Sequence, residues 1–288
     1  MEECFLSLTI ILPAKNEGQT VGLLVQNLKS RYPEAEILVS DDGSTDQTAA
    51  VAEAAGATVL SAPYSMGNGA AIKRAARVAR GDVLVFMDAD GQHDAERVDR
   101  LVEKLGQGFD MAVGARDRSG QDSLPRFLAN ALYNFLAGLI TGHTVPDLTS
   151  GFRAVDRRKF VEFLHLLPNG FSYPTTITMA FFRSAYPVAF VPVEVHSRVG
   201  KSHIKPLQDG IRFLLIIFKI ATLYSPLKLF FPISVSFFLL GLAYYGYTFA
   251  FQGRFTNMSV LLLSASVIVF LIGLVSEQIT ALSYRKTE

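Results

Sequence analysis

Through the first hundred or so residues, short apolar runs alternate with longer stretches whose apolar positions recur every three or four residues. Residues 7–12, 35–40, 57–60, 82–87 and 111–113 are runs of the first kind, and 19–31, 46–55, 69–79 and 95–105 are of the second. Short apolar runs read as buried strands and the 3.6-residue period reads as amphipathic helix. The strand-helix order predicts an α/β domain with a mostly parallel sheet covered on both faces. Right-handed crossovers then gather the carboxyl ends of the strands along one edge, where ligands bind in open sheets of this type.

Past residue 205 the pattern changes. Residues 229–251 and 258–276 contain no charged side chain. As helices they rise about 28–35 Å, close to the ~30 Å of a hydrocarbon core. Only residues 252–257 separate them, so two spanning helices at about 229–251 and 258–280 form a tight hairpin, with every backbone amide satisfied inside its own helix. Lys219 and Lys228 precede the pair, Arg285 and Lys286 follow it, and the turn holds only Arg254. Basic residues favour the cytoplasmic side, which predicts a multi-pass membrane protein with both termini there. The chain thus divides into a soluble domain over 1–205, a juxtamembrane amphipathic helix over 206–228 with Asp209, Arg212 and Lys219 on its polar side, and the hairpin over 229–288. A second amphipathic stretch, 124–141, places Arg126, Asn130 and Asn134 on one stripe. It reads equally as an interfacial helix or as a helix packed on the sheet.

Composition adds little that the pattern does not already say. The chain has 288 residues, half of them hydrophobic, and a net charge of +1, so no basic field points to nucleic acid. One cysteine, Cys4, permits neither an internal disulfide nor a cysteine zinc site. The acidic start Met1-Glu2-Glu3 and the early Pro13 do not resemble a signal peptide, which again predicts a cytoplasmic soluble domain.

The candidate chemistry lies just after the strands. The first is followed by Pro13-Ala14-Lys15-Asn16-Glu17, the second by Asp41-Asp42-Gly43-Ser44-Thr45-Asp46, and the fourth by Asp88-Ala89-Asp90-Gly91-Gln92-His93. Acid-rich turns meeting at one edge repel unless something offsets their charge, and a divalent cation is the usual answer. Asp88 and Asp90, one residue apart past a buried strand, suit one hard cation such as Mg²⁺ or Mn²⁺, with Gln92 as a neutral oxygen ligand. His93 is left outside that oxygen set, and His143, His165, His196 and His203 have no ligand spacing. Asp46 or Thr45 suits a helix cap, while one of Asp41 and Asp42 is expected to accept from a base N–H. Met66-Gly67-Asn68-Gly69 fails the dinucleotide fingerprint because Ile72 stands at the third glycine position. Gly69 and Lys73 are still expected to approach phosphate at a helix N-terminus.

Taken with Thr149-Ser150-Gly151-Phe152-Arg153, these turns resemble the family 2 glycosyltransferases of GT-A fold, and among them the dolichol-phosphate mannose synthases and bacterial polyprenyl-phosphate glycosyltransferases. The resemblance covers about residues 7–205, and the paired spans match several bacterial members. It implies that Pro13, Ala14, Asn16, Glu17, Asp41 and Asp42 line the base and ribose pocket. It implies that Asp88, Ala89, Asp90 and Gln92 carry the cation on the donor diphosphate, and that Arg198 and Lys201 belong to a basic loop over it. Arg116 and Arg126 resemble acceptor-phosphate binders, and Ser150 and Arg153 resemble the turn beside the reacting groups. Lys15 and Asn68 depart from the family, which has an aromatic residue and a lysine frequently at those positions.

The implied partners are a UDP- or GDP-linked sugar, a polyprenyl phosphate, the bilayer and a second copy of the chain. A phosphate acceptor is already anionic, so the implied reaction is direct inverting attack positioned by arginines, with no strong base. Three other readings remain: an inactive membrane scaffold, a nucleotide-sugar-binding protein, and a polysaccharide synthase, which the absence of any tryptophan disfavours.

Overall fold

The computed structural model describes residues 7–89, 97–116, 134–135, 137–138, 141–170, 173–193, 218, 222 and 224–284. Seven strands form one sheet: β1 (Leu8–Ala14), β2 (Glu36–Asp41), β3 (Thr58–Ser61), β4 (Val83–Phe86), β5 (Met111–Arg116), β6 (Arg153–Asp156) and β7 (Val188–Val193). Helices α1 (Val21–Arg31), α2 (Thr48–Ala54), α3 (Asn68–Val78), α4 (Val98–Gly106), α5 (Arg157–Glu162) and α6 (Tyr173–Arg183) accompany it, and α7 (Pro226–Gln252) and α8 (Asn257–Ser283) close the chain.

Alternation along β1 shows how the layers form. Ile10 and Leu12 face a core built with Val21, Leu24, Val25 and Leu28 of α1 and Val98 and Leu101 of α4. Ile11, between them, faces the opposite core with Ile72 and Ala75 of α3, Phe160 of α5 and Ile177 of α6. Successive side chains of a strand point to opposite faces, so one nearly continuous apolar run feeds two cores. Small residues on α3 (Ala71, Ala75, Ala76) are fully buried and let that helix lie close to the sheet.

The order across the sheet is β3-β2-β1-β4-β6-β5-β7. All neighbours are parallel except β6, which runs antiparallel to both β4 and β5. That strand is the departure from the alternating pattern, and it matters for function. A reversed strand begins at the edge where its neighbours end, so Arg153 pairs with Phe86 of β4 and with Val113 of β5. The Thr149–Arg153 turn therefore arrives at the carboxyl edge beside Asp88. The expected helix at 46–55 is shorter, as α2, because Asp46 is spent on the turn before it, and the expected strand at 111–113 extends to Arg116 through its pairing with β7.

Both C-terminal helices are long and apolar enough to cross a membrane, and only 11% and 17% of their most apolar windows is buried. Gly253, in the left-handed conformation at φ 61°, ends α7 and lets the chain reverse. The Thr256 side chain accepts from the Ser259 amide to start α8. Close packing is set by glycine: a Cβ at Gly273 would lie 2.7 Å from the Phe230 Cβ. Relative to the expected 229–251, α7 starts earlier, because Pro226 suits the first helical turn. Of the expected interfacial stretches, Asn134, Phe135, Ala137, Gly138 and Thr141 are helical, as are Phe218, Thr222 and Tyr224; the remainder of 124–140 and of 206–223 lies outside the described residues.

Phe86 joins the sheet to the second core, with ring centroids 4.8 Å from Phe160 and 6.2 Å from Tyr173. Phe86→Ala is expected to lower unfolding free energy in detergent by about 3–5 kcal/mol, as for other buried Phe truncations, read from urea or thermal melts.

Candidate active site

Three strand-end turns are stitched into one wall by hydrogen bonds between them. After β1, the Asn16 amide donates to Ser44 Oγ at 2.9 Å, and Asn16 Oδ1 accepts from the Thr45 amide at 2.9 Å. Asn16 has a φ of 56°, a left-handed value that asparagine tolerates better than most residues. The Glu17 amide donates to Thr48 Oγ1 at 2.9 Å and the Gly18 amide to Asp46 Oδ2 at 3.1 Å. Thr20 Oγ1 donates to the Ala89 carbonyl at 2.8 Å, tying the start of α1 to the turn that carries Asp88. Pro13 and Ala14 end β1 beside Ser40 and Asp41 of β2.

The acidic turn after β2 resolves its charge locally. Asp42 is 4% exposed, and its carboxylate accepts from Ser65 Oγ at 2.7 Å and from the amides of Met66 and Gly67 at 2.7 and 2.9 Å. Burial alone raises a carboxyl pKa, but these donors overcome it and hold Asp42 below the ordinary carboxylate range. Lys15 completes the chain by donating to Ser65 Oγ at 2.8 Å. Asp41 Oδ1 accepts from the Ser44 amide at 3.1 Å and from the Ser44 hydroxyl. Asp46 takes the Thr48 amide at 3.0 Å, so it caps the start of α2 from just outside the helix. Both Asp41 and Asp42 thus help to hold the loops of this wall in place.

Gly69 and Lys73 lie at the start of α3, against the 167–170 turn. The amides of Gly69 and Ala70, at the start of α3, donate to the carbonyls of Gly170 and Asn169 at 3.3 and 2.8 Å. Those are the donors an anion would need. Lys73 Nζ donates to the Leu167 carbonyl at 3.0 Å and to Asn169 Oδ1. A Cβ at Gly69 would sit 2.0 Å from the Pro168 carbonyl oxygen, so glycine there serves the packing of the 167–170 turn. This helix start is packed against the 167–170 turn.

The turn before β6 carries the remaining chemistry. Asp88 follows β4 and Met87, and a Cβ on Gly151 would lie 3.2 Å from Asp88 Oδ2, so the backbone passes directly against the carboxylate. Ser150 is 3% exposed, and among the described residues its Oγ has no hydrogen-bond partner. Arg153 is fully buried. Its guanidinium donates to the Pro174 carbonyl at 3.0 Å, to Thr178 Oγ1 at 3.1 Å and to the Ser150 carbonyl. It therefore works from beneath the turn, fixing the Ser150–Gly151 backbone against Asp88, and does not itself face the cleft.

Arg116 ends β5 at the same edge, where it is paired with an acid. Its Nε and Nη2 donate to the two oxygens of Asp147 at 2.7 and 3.0 Å, a two-point pairing, and Nη2 also reaches Thr149 Oγ1 at 2.5 Å. Burial works against the Arg116 charge, but the Asp147 bonds and field, with Asp88 adding to them, hold its pKa above the usual value. Asp147, Thr149, Thr20 and Ser65 were not expected as site residues. Thr149 opens the motif that carries the resemblance, and Asp147 had a readable signal in the Pro146-Asp147-Leu148-Thr149 turn, in which Asp147 Oδ1 accepts from the Thr149 amide at 3.0 Å. Asp90, Gln92, Arg126, Arg198 and Lys201 lie outside the described residues.

Burial tends to raise the Asp147 pKa, yet the Arg116 hydrogen bonds and charge depress it overall. A depressed carboxyl pKa contributes stability that is complete above the unfolded value of about 3.9 and fades as pH falls through the folded one. Asp147→Asn should cost roughly 2–3 kcal/mol at neutral pH, less than a fully enclosed pair because Arg116 is part exposed, and the difference from wild type should shrink below about pH 4. Urea midpoints measured from pH 3 to 7 check it.

Known proteins with comparable sequences and folds bear on this edge. Residues 9–164, over half the chain, match the family model described as glycosyl transferase family 2, and residues 225–282 match that of the GtrB C-terminal hairpin. A dolichyl-phosphate hexose transferase of Haloferax volcanii is 28% identical over 73% of this chain and 91% of its own length. A polyprenol monophosphomannose synthase of Mycolicibacterium smegmatis is 30% identical over 66% of this chain and 77% of its own. Among solved structures, glucosyl-3-phosphoglycerate synthase from Mycobacterium tuberculosis, in complex with Mn²⁺, uridine diphosphate and phosphoglyceric acid, superposes with a TM-score of 0.58 at 25% identity, over 74% of this chain and 78% of that one. The sheet domain and the apolar hairpin each match a known family, and the chain belongs to glycosyl transferase family 2 as a membrane-associated glycosyltransferase of GT-A fold.

Proposed function

We propose that the chain transfers a glycosyl group from a nucleoside-diphosphate sugar to a polyprenyl phosphate at the cytoplasmic face of a membrane, with inversion at the anomeric carbon. The observation that carries the reading is the joining of a charged Arg116 and the Asp88 turn at one sheet edge to a hairpin long enough to span a bilayer. A soluble acceptor would need no such hairpin, and two relatives are named for transfer involving dolichyl phosphate and polyprenol. Lys228 at the start of the hairpin and Arg285 and Lys286 after it, against Arg254 in the turn, favour termini on the cytoplasmic side.

The residues present fit a divalent cation. Asp88 supplies a hard oxygen donor at the strand end, a buried hydroxyl with no partner among the described residues stands in the adjacent turn at Ser150, and the sequence adds Asp90 and Gln92. Mg²⁺ or Mn²⁺ held by Asp88, Asp90 and Gln92 would offset negative charge on the departing diphosphate. The rest falls to the protein. Pro13, Ala14, Asn16 and Glu17, on the wall that Ser44, Thr45, Asp46 and Thr48 stiffen, border the base and ribose. Arg116, with Arg126, orients the acceptor phosphate, and Arg198 with Lys201 screens the donor. A phosphate oxygen attacks the anomeric carbon as the bond from that carbon to the diphosphate oxygen breaks, and the electron pair leaves with the nucleoside diphosphate. No proton needs removing from an acceptor that is already anionic, so positioning carries the rate. Asp147 keeps Arg116 charged and aimed, which makes it a positioning residue.

Asp88→Asn preserves shape and removes the charge. With nucleotide sugar, undecaprenyl phosphate and Mg²⁺ or Mn²⁺, turnover is expected to fall about 10²- to 10³-fold, the loss typical of removing one strong electrostatic contact to a transition state. Turnover near wild type would defeat the assignment. Binding of donor without either transfer or hydrolysis by the wild-type protein would instead favour a nucleotide-sugar-binding role.

A further inference from the structure

One charged side chain has no place in the chemistry above. Glu277 lies in the last two turns of α8, beyond the charge-free part of that span. Its Oε2 accepts from Ser225 Oγ at 3.0 Å and from the Leu227 amide at 3.2 Å, at the very start of α7. Its Oε1 meets Nη2 of Arg183 at 3.4 Å. Arg183 is the last residue of α6, and its guanidinium also lies 4.9 Å from the centre of the Tyr284 ring. Beside this pair Thr280 Oγ1 donates to the Thr222 carbonyl at 3.0 Å. A single carboxylate thus joins both hairpin helices to the family 2 domain.

The other end of α6 is at the candidate active site. Tyr173, its first residue, directs its hydroxyl to the Gly151 carbonyl at 3.3 Å, and the Pro174 carbonyl accepts from Arg153. Gly151 is the residue on which a Cβ would lie 3.2 Å from the Asp88 carboxylate. Between these ends the residues from Thr175 to Phe181 are all buried, so the helix is gripped along its length. An 11-residue helix is about 16 Å long and stiff on that scale. One end of α6 thus supports the turn beside Asp88, and the other is bolted to the root of the hairpin.

We infer that Glu277 and Arg183 form a standoff clamp: through α6 they fix the height and tilt of the reaction site above the bilayer, and so select an acceptor whose phosphate sits at the headgroup plane. Glu277 is a positioning residue, since it touches neither substrate. The inference rests on the lipid-phosphate reading for its kinetic consequence but not for its geometric one. The contact between Glu277 and the Leu227 amide also explains why an acid is tolerated inside an apolar helix, because an anion at a helix N-terminus is stabilised there.

The test uses the full-length protein in phosphatidylcholine–phosphatidylglycerol vesicles. A donor fluorophore goes on the exposed α4 surface through E103C in a C4S background, and the lipids carry acceptor fluorophores, so energy transfer reads the standoff. E277Q and R183Q should each change or broaden that standoff. Each should raise apparent KM for vesicle-embedded undecaprenyl phosphate about three- to tenfold, while a two-isoprene phosphate in detergent is used within about twofold of wild type. R183K, which keeps the charge, should recover most of the loss, and R183Q/E277Q should be no worse than either single change, as expected for partners in one contact. An unchanged standoff in E277Q overturns the clamp, and so does an equal loss on both acceptors. If the wild-type protein transfers to neither polyprenyl phosphate, the functional reading fails, and the energy-transfer arm still decides the clamp.

Discussion

The burial of Arg153 is the constraint on which the site depends. A guanidinium at 0% exposure has lost its water, and burial pushes its pKa down against the fields of Tyr173, Asp147 and Asp88. Such a group is costly unless its donors are met. Its two terminal nitrogens are met by the Ser150 and Pro174 carbonyls and the Thr178 hydroxyl, while among the described residues the buried Nε has no partner. The turn before β6 and the start of α6 cannot separate without stranding that charge. Asp88, its neighbour Gly151, and the helix leading toward the hairpin are locked together by one side chain. The sequence motif that resembled a reactive arginine is in this sense a keystone under the reacting surface.

The same logic separates what was legible in the sequence from what was not. Strands β1, β2, β4 and β5 were legible because both of their faces are buried, which leaves apolar runs such as Ile10-Ile11-Leu12, while the edge strand β3 is only half-buried. β6 was not, because Arg153-Ala154-Val155-Asp156 is four residues with a charge at each end. Its identity as a strand comes from its neighbours' backbones, not from its own pattern. The hairpin was legible from length and apolarity alone. The role of Glu277 was hidden, since an acid closing an apolar run looks like the end of a span.

The acid-rich turns meeting at one edge suggested a divalent cation as the usual compensator, placed on Asp88, Asp90 and Gln92, with Asp41, Asp42 and Asp46 among the charges around it. In the fold each finds hydroxyl and amide donors within its own wall, and such bonds to the charged form stabilise a carboxylate as a counter-ion does. Counting charges cannot distinguish these two solutions, because amides are present in every sequence. Among the described residues, which exclude Asp90 and Gln92, no three His, Cys, Asp or Glu side chains converge on a point. The Gly67-Asn68-Gly69 turn repeats the lesson: its helix-start amides are met by carbonyls of the 167–170 turn, nearly a hundred residues away.

A lipid acceptor changes what such an enzyme must control. Its phosphate is confined to a plane, so lateral encounter is nearly assured and the remaining variable is height. Misplacing reacting atoms by about 1 Å can cost a hundredfold in rate. A floppy tether between site and membrane would spread that height over many ångströms, and loops store little resistance to such motion. A short buried helix held at both ends resists it, since bending α6 would break contacts along its whole buried length. On this view the fold addresses one problem with two charged anchors. Arg153 sets where the turn lies on α6, and Glu277 with Arg183 sets where α6 lies on the membrane.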